Sequence, residues 1–490
     1  MHGYTRHIVP IAIRMSLTLE QLKERFGPRY KWMVLFSLMI GSMASILAST
    51  IVNVAVPDLS EYFRLGQERA QWVSTAFMLS MTLSMLVTPW LLLRFGLRRT
   101  YAGAVTVLLA GGVVGGFSVN YPMLISMRVV EGLAAGVLQP IPAIFVLRAF
   151  DSSEHGRAMG VFGFGVVLAP AIGPSVGGFL VEQFGWRSIF FVVVPFCILV
   201  LYLARKLLPK VSSMAGDAQA LDWKGLVLAS LGVVGLLNGM VNMQKDTGFG
   251  LGMLLAGLVI IALFVWYQMR AAHPLLAVRV FHYPQFVMGS LVAFIYGIAL
   301  FGSTYLVPVY TQIALHYSPS HAGLVILPAG FALAMVIPLA GRLVDSYPPN
   351  VLVSIGLGLL ALSFLLMSTG TPGTGFLALM AWTVIGRIGL GFVLPALSVG
   401  AMRGVDGSLV AHGTSTINFL RQLGGAIGVS LAGIFLEWRL AAHKTALGDE
   451  GGNPADRIKA FDETFIFLAV ICAVAVLAAW RMRAPRPQQE

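Results

Sequence analysis

Long runs of apolar residues recur along the whole chain and are separated by short polar stretches. Most runs reach about 20 residues, which is the length that an α-helix needs to cross the roughly 30 Å apolar core of a bilayer. The pattern predicts fourteen membrane-spanning helices and an all-α integral membrane fold. The predicted helices lie near residues 32–57, 70–92, 100–119, 122–147, 157–181, 188–208, 223–244, 249–269, 283–313, 321–343, 350–368, 375–402, 408–437 and 463–482.

Positively charged residues are distributed unevenly between the two faces of this predicted bundle. An even number of crossings places both chain ends on one face, and that face carries 22 lysines and arginines against 8 on the other. Loops rich in Lys and Arg stay on the cytoplasmic side of a membrane. We therefore predict cytoplasmic termini in a multi-pass protein of a bacterial-type inner membrane. The three remaining basic residues, Arg128, Arg387 and Arg421, fall inside predicted helices.

The composition leaves no room for a soluble enzyme domain. Of the 490 residues, 57% are apolar and 11% are charged, whereas a soluble domain has about 45–50% and about 25%. The net charge of +12 follows from the cytoplasmic loops, so it predicts no nucleic-acid partner. Cys197 and Cys472 lack metal-ligand spacing, and neither a phosphate-binding loop nor an HExxH string occurs. We expect no enzymatic activity, no metal and no cofactor.

A polar connection at residues 207–222 follows the sixth predicted helix and divides the helices into groups of six, two and six. Arg128 and Gly132 in the fourth helix have counterparts in Arg387 and Gly391 of the twelfth, which favours a duplicated bundle. Two related bundles around a midplane site are typical of a secondary transporter. The predicted parts are a cytoplasmic tail at 1–31, a six-helix bundle at 32–208, a linker with two inserted helices at 209–270, a second six-helix bundle at 271–482 and a tail at 483–490.

A second repeated string marks the cytoplasmic ends of helices two and ten. Helix ten ends in a GxLxD pattern, whereas helix two has Pro89 and Leu93 at the places of the Gly and the Asp. Basic residues and a glycine follow Leu93. We assign a cytoplasmic gate to Arg94, Gly96, Arg98, Gly341 and Asp345.

The fourth predicted helix contains an acid, Glu131, near the middle of the bilayer. Arg128 lies three residues earlier and therefore on the same helix face. A charge at this depth costs about 2.5–3.5 kcal/mol on insertion scales, which makes it a functional candidate. We predict that Glu131 takes up and releases a proton, that Arg128 sets its pKa, and that both face the central cavity. The alternative is a static pair that neutralises itself.

The fifth predicted helix has small residues at every fourth position of the string GFGVVLAPAIGPSVGGFL. Such a stripe lets another helix approach closely, and prolines bend a helix. We predict a hinge or a seal between the bundles, with ordinary helix packing as the alternative. The residues assigned to this element are Gly165, Gly173, Pro174, Gly177 and Gly178.

Polar and soft apolar residues on several predicted helices are candidates for lining a substrate cavity. Hydroxyl groups on such helices also bond their own backbone, methionines and aromatics also pack in cores, and a buried arginine also binds carbonyl groups. Both interpretations stay open from the sequence. The residues assigned to the cavity are Ser49, Asn53, Met81, Tyr305, Arg387, Asn418 and Arg421.

Several strings together resemble the fourteen-spanner drug:proton antiporter family of the major facilitator superfamily. They are TIVNVAVP from Thr50, RxxEG from Arg128, GPxxGG from Gly173, WRSIFF from Trp186, YLVPVYTQ from Tyr305 and NFLRQLGGAIG from Asn418. The resemblance implies two pseudo-symmetric six-helix bundles with two inserted helices, and export of amphipathic compounds driven by inward proton flow. It further implies that GPxxGG is the antiporter motif and that Arg128 takes part in proton transfer.

Three positions depart from the family pattern. Ala48 stands where the first helix usually has an acid, Leu93 replaces the Asp of the first gate string, and Glu131 replaces a Gln. We hypothesise that the titrating carboxyl has moved from helix one to helix four. The alternative is that proton coupling is weak or absent and that the cargo differs from cationic drugs.

The leading functional prediction is a proton-coupled inner-membrane exporter of amphipathic small molecules that works by alternating access. One alternative is a specific carrier of an anionic lipid or metabolite, and another is a transporter-like receptor that moves nothing. The expected partners are a small amphipathic substrate, protons and the bilayer. The sequence leaves open whether a periplasmic adaptor docks on the long outer loop at about residues 439–462.

Overall fold

The computed structural model describes residues 27–208, 220–243, 246–371, 373–445 and 454–482. Residues 1–26 and 483–490 of the predicted tails, residues 209–219 of the predicted linker and residues 446–453 of the predicted outer loop lie outside this part. The described residues form sixteen α-helices, with 3₁₀ turns at Met85–Val87, Ser152–Glu154 and Val278–His282 and a π turn at Tyr310–Ala314. The helices are α1 Tyr30–Tyr62, α2 Gln67–Ser84, α3 Thr88–Gly116, α4 Tyr121–Leu138, α5 Ile141–Ala149, α6 His155–Phe184, α7 Ser188–Phe191, α8 Val193–Leu207, α9 Trp223–Asn242, α10 Thr247–Gln268, α11 Pro284–Val309, α12 Pro319–Ser346, α13 Pro349–Met367, α14 Phe376–Gly400, α15 Val410–Ala442 and α16 Pro454–Trp480.

The described helices agree with fourteen membrane crossings. Twelve continuous helical stretches are long and apolar enough to span a bilayer. One of them, Arg69–Gly116, contains a break at Gly96 (φ 75°) and is long enough for two crossings. Helix α6 is a further helix of 30 residues. With an even number of crossings, α1 begins and α16 ends at the same end of the bundle, which we call the termini end; the opposite end is the distal end.

Local sequence determines where several helices begin and end. The Asn120 side chain accepts a hydrogen bond from the Met123 N–H at 2.9 Å and so caps the start of α4. Asp222 and Asp246 cap α9 and α10 in the same way. Gly185 ends α6 with a φ of 76°, a conformation that glycine adopts at low cost. These short polar stretches therefore fix the bounds of otherwise apolar helices.

The apolar side chains form two large cores that follow the order of the chain. One core joins buried residues between Tyr30 and Phe264 with Phe419 and Leu423 of α15, and the other joins residues between Val280 and Met482. The inserted helices α9 and α10 pack on each other and reach the first core through side chains such as Val233. Each half therefore packs around its own interior, and α15 contributes to both cores.

Glycines allow α11 and α15 to lie against each other in the second half. A side chain at Gly297 would overlap the carbonyl oxygen of Arg421, and one at Gly424 would overlap that of Phe294. Backbone at this separation leaves no space for even a methyl group. The backbone of Arg421 therefore lies directly against α11.

We predict that Gly297→Ala lowers the stability of the protein. The added methyl group would displace the α15 backbone, and overpacking of this kind costs about 1–3 kcal/mol. The matched control is Gly358→Ala in α13, where an added methyl group meets nothing within 4 Å. Thermal unfolding followed by tryptophan fluorescence should show a lower midpoint for Gly297→Ala alone. Equal midpoints for the two variants would contradict the contact.

Candidate functional site

The two halves of the molecule are joined at the termini end by the carboxylate of Asp345. Its oxygens accept hydrogen bonds from the backbone N–H groups of Gly156 (2.7 Å) and Arg157 (2.9 Å). These groups lie at the start of α6, where N–H groups lack intrahelical partners and where the helix dipole favours a negative charge. Asp345, near the end of α12, thus holds the second half against the first.

Close backbone packing accompanies this contact. A side chain at Gly156 would overlap the carbonyl oxygen of Gly341, and one at Gly160 would lie 3.1 Å from the Cα of Gly341. Nearby, Arg148 in the last turn of α5 donates a hydrogen bond to the carbonyl oxygen of Gly407, in the loop before α15, at 3.2 Å. The structure is therefore closed at the termini end, and Gly341 and Asp345 lie in the closure as the gate assignment expected.

The predicted gate residues of the first half make different contacts from Gly341 and Asp345. Gly96 breaks the helix between two crossings. The Arg94 guanidinium lies over the rings of Trp90 and Phe95 at 5.6 and 5.7 Å. Arg98 is half-buried just beyond the break. These residues shape the turn after the second crossing.

Leu93 occupies the place that Asp345 occupies in the second half. It is exposed and lines a cleft of about 670 Å³ together with Leu409 and His412 at the start of α15. A leucine cannot accept hydrogen bonds from a helix start, so this side of the closure lacks the carboxylate–amide hydrogen bonds that Asp345 makes on the other side. The closure is therefore asymmetric between the two halves.

Arg128 and Glu131 form an ion pair that is sealed inside the first half. Arg128 Nη1 lies 2.7 Å from Glu131 Oε2, and the two side chains are each 1% exposed. The guanidinium also donates to the carbonyl oxygens of Val73 in α2 (3.1 Å) and Ala48 in α1 (3.2 Å), and it lies over the Phe77 ring. One charged group therefore ties α1, α2 and α4 together.

The expectation that this pair faces the central cavity is wrong for this conformation. An added side chain at Gly111 would lie 2.8 Å from Glu131 Cγ, and one at Gly112 would lie 3.2 Å from Glu131 Oε1 and from the carbonyl oxygen of Phe190. The carboxyl group thus packs between α3 and α7 within the first half. The glycines of α3 leave room for it there, and the sequence pattern of α4 alone does not reveal which neighbour supplies that room.

The small-residue stripe of α6 faces α1 of the same half. Added side chains at Gly165, Gly173 and Gly177 would meet side chains of Met39, Thr50 and Ile51, respectively. At Gly178 the nearest atom belongs to Val54, at 3.8 Å. The side chain of Pro174 lies outside the described residues. The stripe is therefore not the seal between the halves, and a hinge function stays a prediction.

The seal instead uses Gly156 and Gly160 at the start of α6, which the sequence analysis missed. The available signal was Asp345: a carboxylate at the end of a helix needs donors, and a helix start at the same end of the bundle supplies them. In the described part of the chain, no three His, Cys, Asp or Glu residues are grouped as a metal site would require.

The predicted cavity residues of the first half have mixed settings. Ser49 Oγ donates to the carbonyl oxygen of Ile46 at 2.7 Å, so its hydroxyl bonds its own helix. Asn53 is exposed, and its Oδ1 accepts from Ser74 Oγ at 2.6 Å. Met81 is only 6% exposed and belongs to the first core. Of these three assigned residues, Asn53 alone offers an accessible polar group.

The predicted cavity residues of the second half are more accessible. Arg387 Nη2 donates to Thr304 Oγ1 at 3.1 Å, and Arg421 Nη2 donates to Asn418 Oδ1 at 2.8 Å. Tyr305, Arg387, Asn418 and Arg421 are half-buried and Thr304 is exposed. Thr304 lies about 30 Å along α11 from the termini end, by the rise of an α-helix. Exposed Asn53 and Thr304 thus both lie toward the distal end of their helices.

The family model of the Major Facilitator Superfamily matches residues 38–429. The chain belongs to this superfamily. Proteins of this superfamily are membrane transporters, which excludes the enzyme class. The match covers helices of both halves, including every helix that forms the closure at the termini end.

Two of the following three curated relatives carry drug-resistance names, and the third is named as a transporter of the same superfamily. The lincomycin resistance protein LmrB of Listeria monocytogenes is 27% identical over 92% of this chain and 96% of LmrB. The multidrug resistance protein B homolog of Mycobacterium tuberculosis is 30% identical over 84% of this chain and 79% of the homolog. The uncharacterized MFS-type transporter YcnB of Bacillus subtilis is 28% identical over 97% and 99%. These relatives confirm the resemblance to the drug-efflux type.

Two solved structures are similar to this chain in fold. The human organic anion transporter MFSD10 (TETRAN) has a TM-score of 0.65 and 15% sequence identity, over 92% of this chain and 99% of that one. The proton:xylose symporter XylE has a TM-score of 0.66 and 13% identity, over 93% and 96%. Both likenesses confirm the major facilitator fold of the two halves.

We predict that Asp345→Asn opens the termini end. The amide loses the negative charge and can accept with only one oxygen, and loss of a helix cap costs about 0.5–2 kcal/mol. A change of 1–2 kcal/mol raises the open population by roughly 5- to 30-fold. Spin-label distances between Arg99→Cys and Arg403→Cys, both at exposed sites of the termini end, should shift toward longer values.

The matched control for this experiment is Asp406→Asn. The Asp406 carboxylate accepts hydrogen bonds from Ser408 within its own loop and makes no described contact between the halves. Its distance distribution should equal that of the unmodified protein. A distribution that is unchanged in Asp345→Asn as well would show that the carboxylate does not hold the closure.

Proposed function

We propose that this protein exports amphipathic small molecules across the inner membrane by alternating access, with both termini in the cytoplasm. The observation that carries the proposal is that Asp345 closes the two halves at the termini end. At the opposite, distal end, polar side chains stay accessible. A carrier held in this way presents its central space to one side only. The drug-resistance names of its relatives support an outward direction of transport.

We further propose that inward proton flow drives this export and that Glu131 is the coupling acid. The first helix has Ala48 where the family has an acid, and the Arg128 guanidinium now bonds the Ala48 carbonyl oxygen and the Glu131 carboxylate together. Because the pair is sealed here, proton uptake must occur in another conformation. Movement of α3 away from α4 would expose the carboxyl group, since Gly111 and Gly112 cover it.

Two alternative functions predict different results in a transport assay. A carrier with altered or absent proton coupling would use the Arg128–Glu131 pair only to hold α1, α2 and α4 together, and the complete burial of the pair favours that role. A transporter-like receptor would move no cargo in either direction. Ala48 and Leu93, which replace family acids, are the residues that favour the receptor.

The test is counterflow of fluorescent amphiphiles in proteoliposomes with and without an imposed pH gradient. We expect gradient-dependent uptake in the unmodified protein and in Glu182→Gln, whose side chain is exposed at the end of α6. In Glu131→Gln we expect counterflow without gradient dependence, because the amide cannot exchange a proton. No movement of any amphiphile by the unmodified protein would contradict the transport function.

A second variant distinguishes a loss of proton coupling from a folding defect in Glu131→Gln. Removing one partner of a buried ion pair costs about 3–5 kcal/mol because the other charge is left uncompensated, whereas replacing both partners is often neutral. The double variant Arg128→Gln/Glu131→Gln should therefore be more stable than Glu131→Gln alone. If either variant retains gradient-dependent uptake, Glu131 is not the coupling acid.

A further inference from the structure

Arg387 and Arg421 lie at bilayer depth in the second half. Each is eleven residues from the first residue of its helix, and α14 and α15 run in opposite directions, so Arg387 lies about 17 Å from the distal end of α14 and Arg421 about 17 Å from the termini end of α15. Both helices pack against α11: Arg387 donates to Thr304 of α11, and the backbone of Arg421 lies against Gly297 of α11. Packing of the second half therefore places two positive charges on helices that flank α11.

The two guanidinium groups have neutral partners. Arg387 donates to the Thr304 hydroxyl and Arg421 to the Asn418 side-chain oxygen. Among the described residues, neither has a carboxylate within 4 Å. Arg128 in the first half differs, since it bonds a carboxylate and two backbone carbonyl groups. The positive charges of Arg387 and Arg421 are therefore not compensated by the described part of the chain.

The free donors of Arg387 and Arg421 are not fully buried, unlike those of Arg128. Arg128 Nη2 is buried without a hydrogen-bond partner among the described residues. The Nε and Nη1 atoms of Arg387 and Arg421 have no described partner either, yet they are not among the buried unpartnered atoms. These atoms are therefore not fully buried, in keeping with the half-buried side chains of Arg387 and Arg421.

An anionic group satisfies this arrangement best. A charged side chain at bilayer depth requires water or an opposite charge, and the guanidinium fork matches the two oxygens of a carboxylate, sulfonate or phosphate. The pocket that Val307, Phe364 and Leu390 line next to Arg387 has a volume of only about 20 Å³, so it has no room for the apolar part of a ligand. The neighbourhood thus offers donors for a charged head group.

We propose that the cargo is an amphipathic anion and that Arg387 and Arg421 bind its negatively charged group. This inference rests on the proposed export function and specifies its substrate class. Two uncompensated guanidinium groups also repel a cation, so the site selects against cationic amphiphiles of the same size. Thr304 and Asn418 are positioning residues that orient the two guanidinium groups.

The experiment compares three probes with the same apolar body: pyrenebutyrate, pyrenebutanol and pyrenebutyltrimethylammonium. Binding to the protein in nanodiscs of zwitterionic lipid is followed by fluorescence anisotropy, with empty nanodiscs as background. We expect the anion to bind at least about tenfold more tightly than the cation, a difference of about 1.4 kcal/mol. Arg387→Gln and Arg421→Gln should each weaken anion binding by about tenfold and leave pyrenebutanol binding unchanged.

Two further variants separate charge from structure. Arg403→Gln, at an exposed loop of the termini end, is the matched control and should bind the anion normally. Arg387→Lys keeps the charge but not the fork, so it should retain preference for the anion with a smaller loss of affinity. If Arg387→Gln fails to fold, Arg387→Lys and Arg421→Gln still decide the outcome.

The outcomes distinguish this inference from the proposed function. Equal or tighter binding of the cation, or unchanged anion binding in both Gln variants, would overturn the anionic substrate class. If the anionic substrate class is overturned but pyrenebutanol is still transported in proteoliposomes, the proposed export function is retained without that substrate class. If none of the three probes binds or is transported, the export function falls and the substrate class falls with it.

Discussion

The cost of placing a charge inside a bilayer governs the organisation of this molecule. In the first half, Glu131 and two backbone carbonyl groups compensate the charge of Arg128. The ion pair is buried among α1, α2, α3 and α4. In the second half, the equivalent Arg387 has no acid and keeps accessible donors. The same residue type is thus fully buried with an acid in one half and half-buried with a neutral partner in the other.

A second asymmetry lies at the termini end. Asp345 caps the start of α6 and joins the halves, whereas Leu93 lines a cleft at the start of α15. The closure therefore includes the hydrogen bonds of the Asp345 carboxylate, the glycine packing beside them and the hydrogen bond from Arg148 to Gly407, and opening requires all of these contacts to separate. A contact worth a few kcal/mol fits a carrier that must alternate between two states of similar free energy.

The sequence was most informative where physical constraints are local. Apolar run length predicted fourteen crossings, and spacing of three residues predicted that Arg128 and Glu131 share a face; both agree with the structure. The direction of that face depends on Gly111 and Gly112 of another helix, which no local pattern encodes. No local pattern shows that the α6 stripe faces α1. Likewise, the role of Gly156 follows only from its contact with Asp345, which lies far away in the sequence.

The central claim is that Arg387 and Arg421 face a space that is closed at the termini end and reachable from the distal end. Side-specific labelling of Thr304→Cys with a membrane-impermeant maleimide in sealed vesicles tests it directly, since Cys197 and Cys472 are buried. Ala135→Cys, fully buried in α4, is the unreactive control. The account predicts labelling of Thr304→Cys from the distal side only. Labelling from the termini side alone, or from neither side, would contradict it.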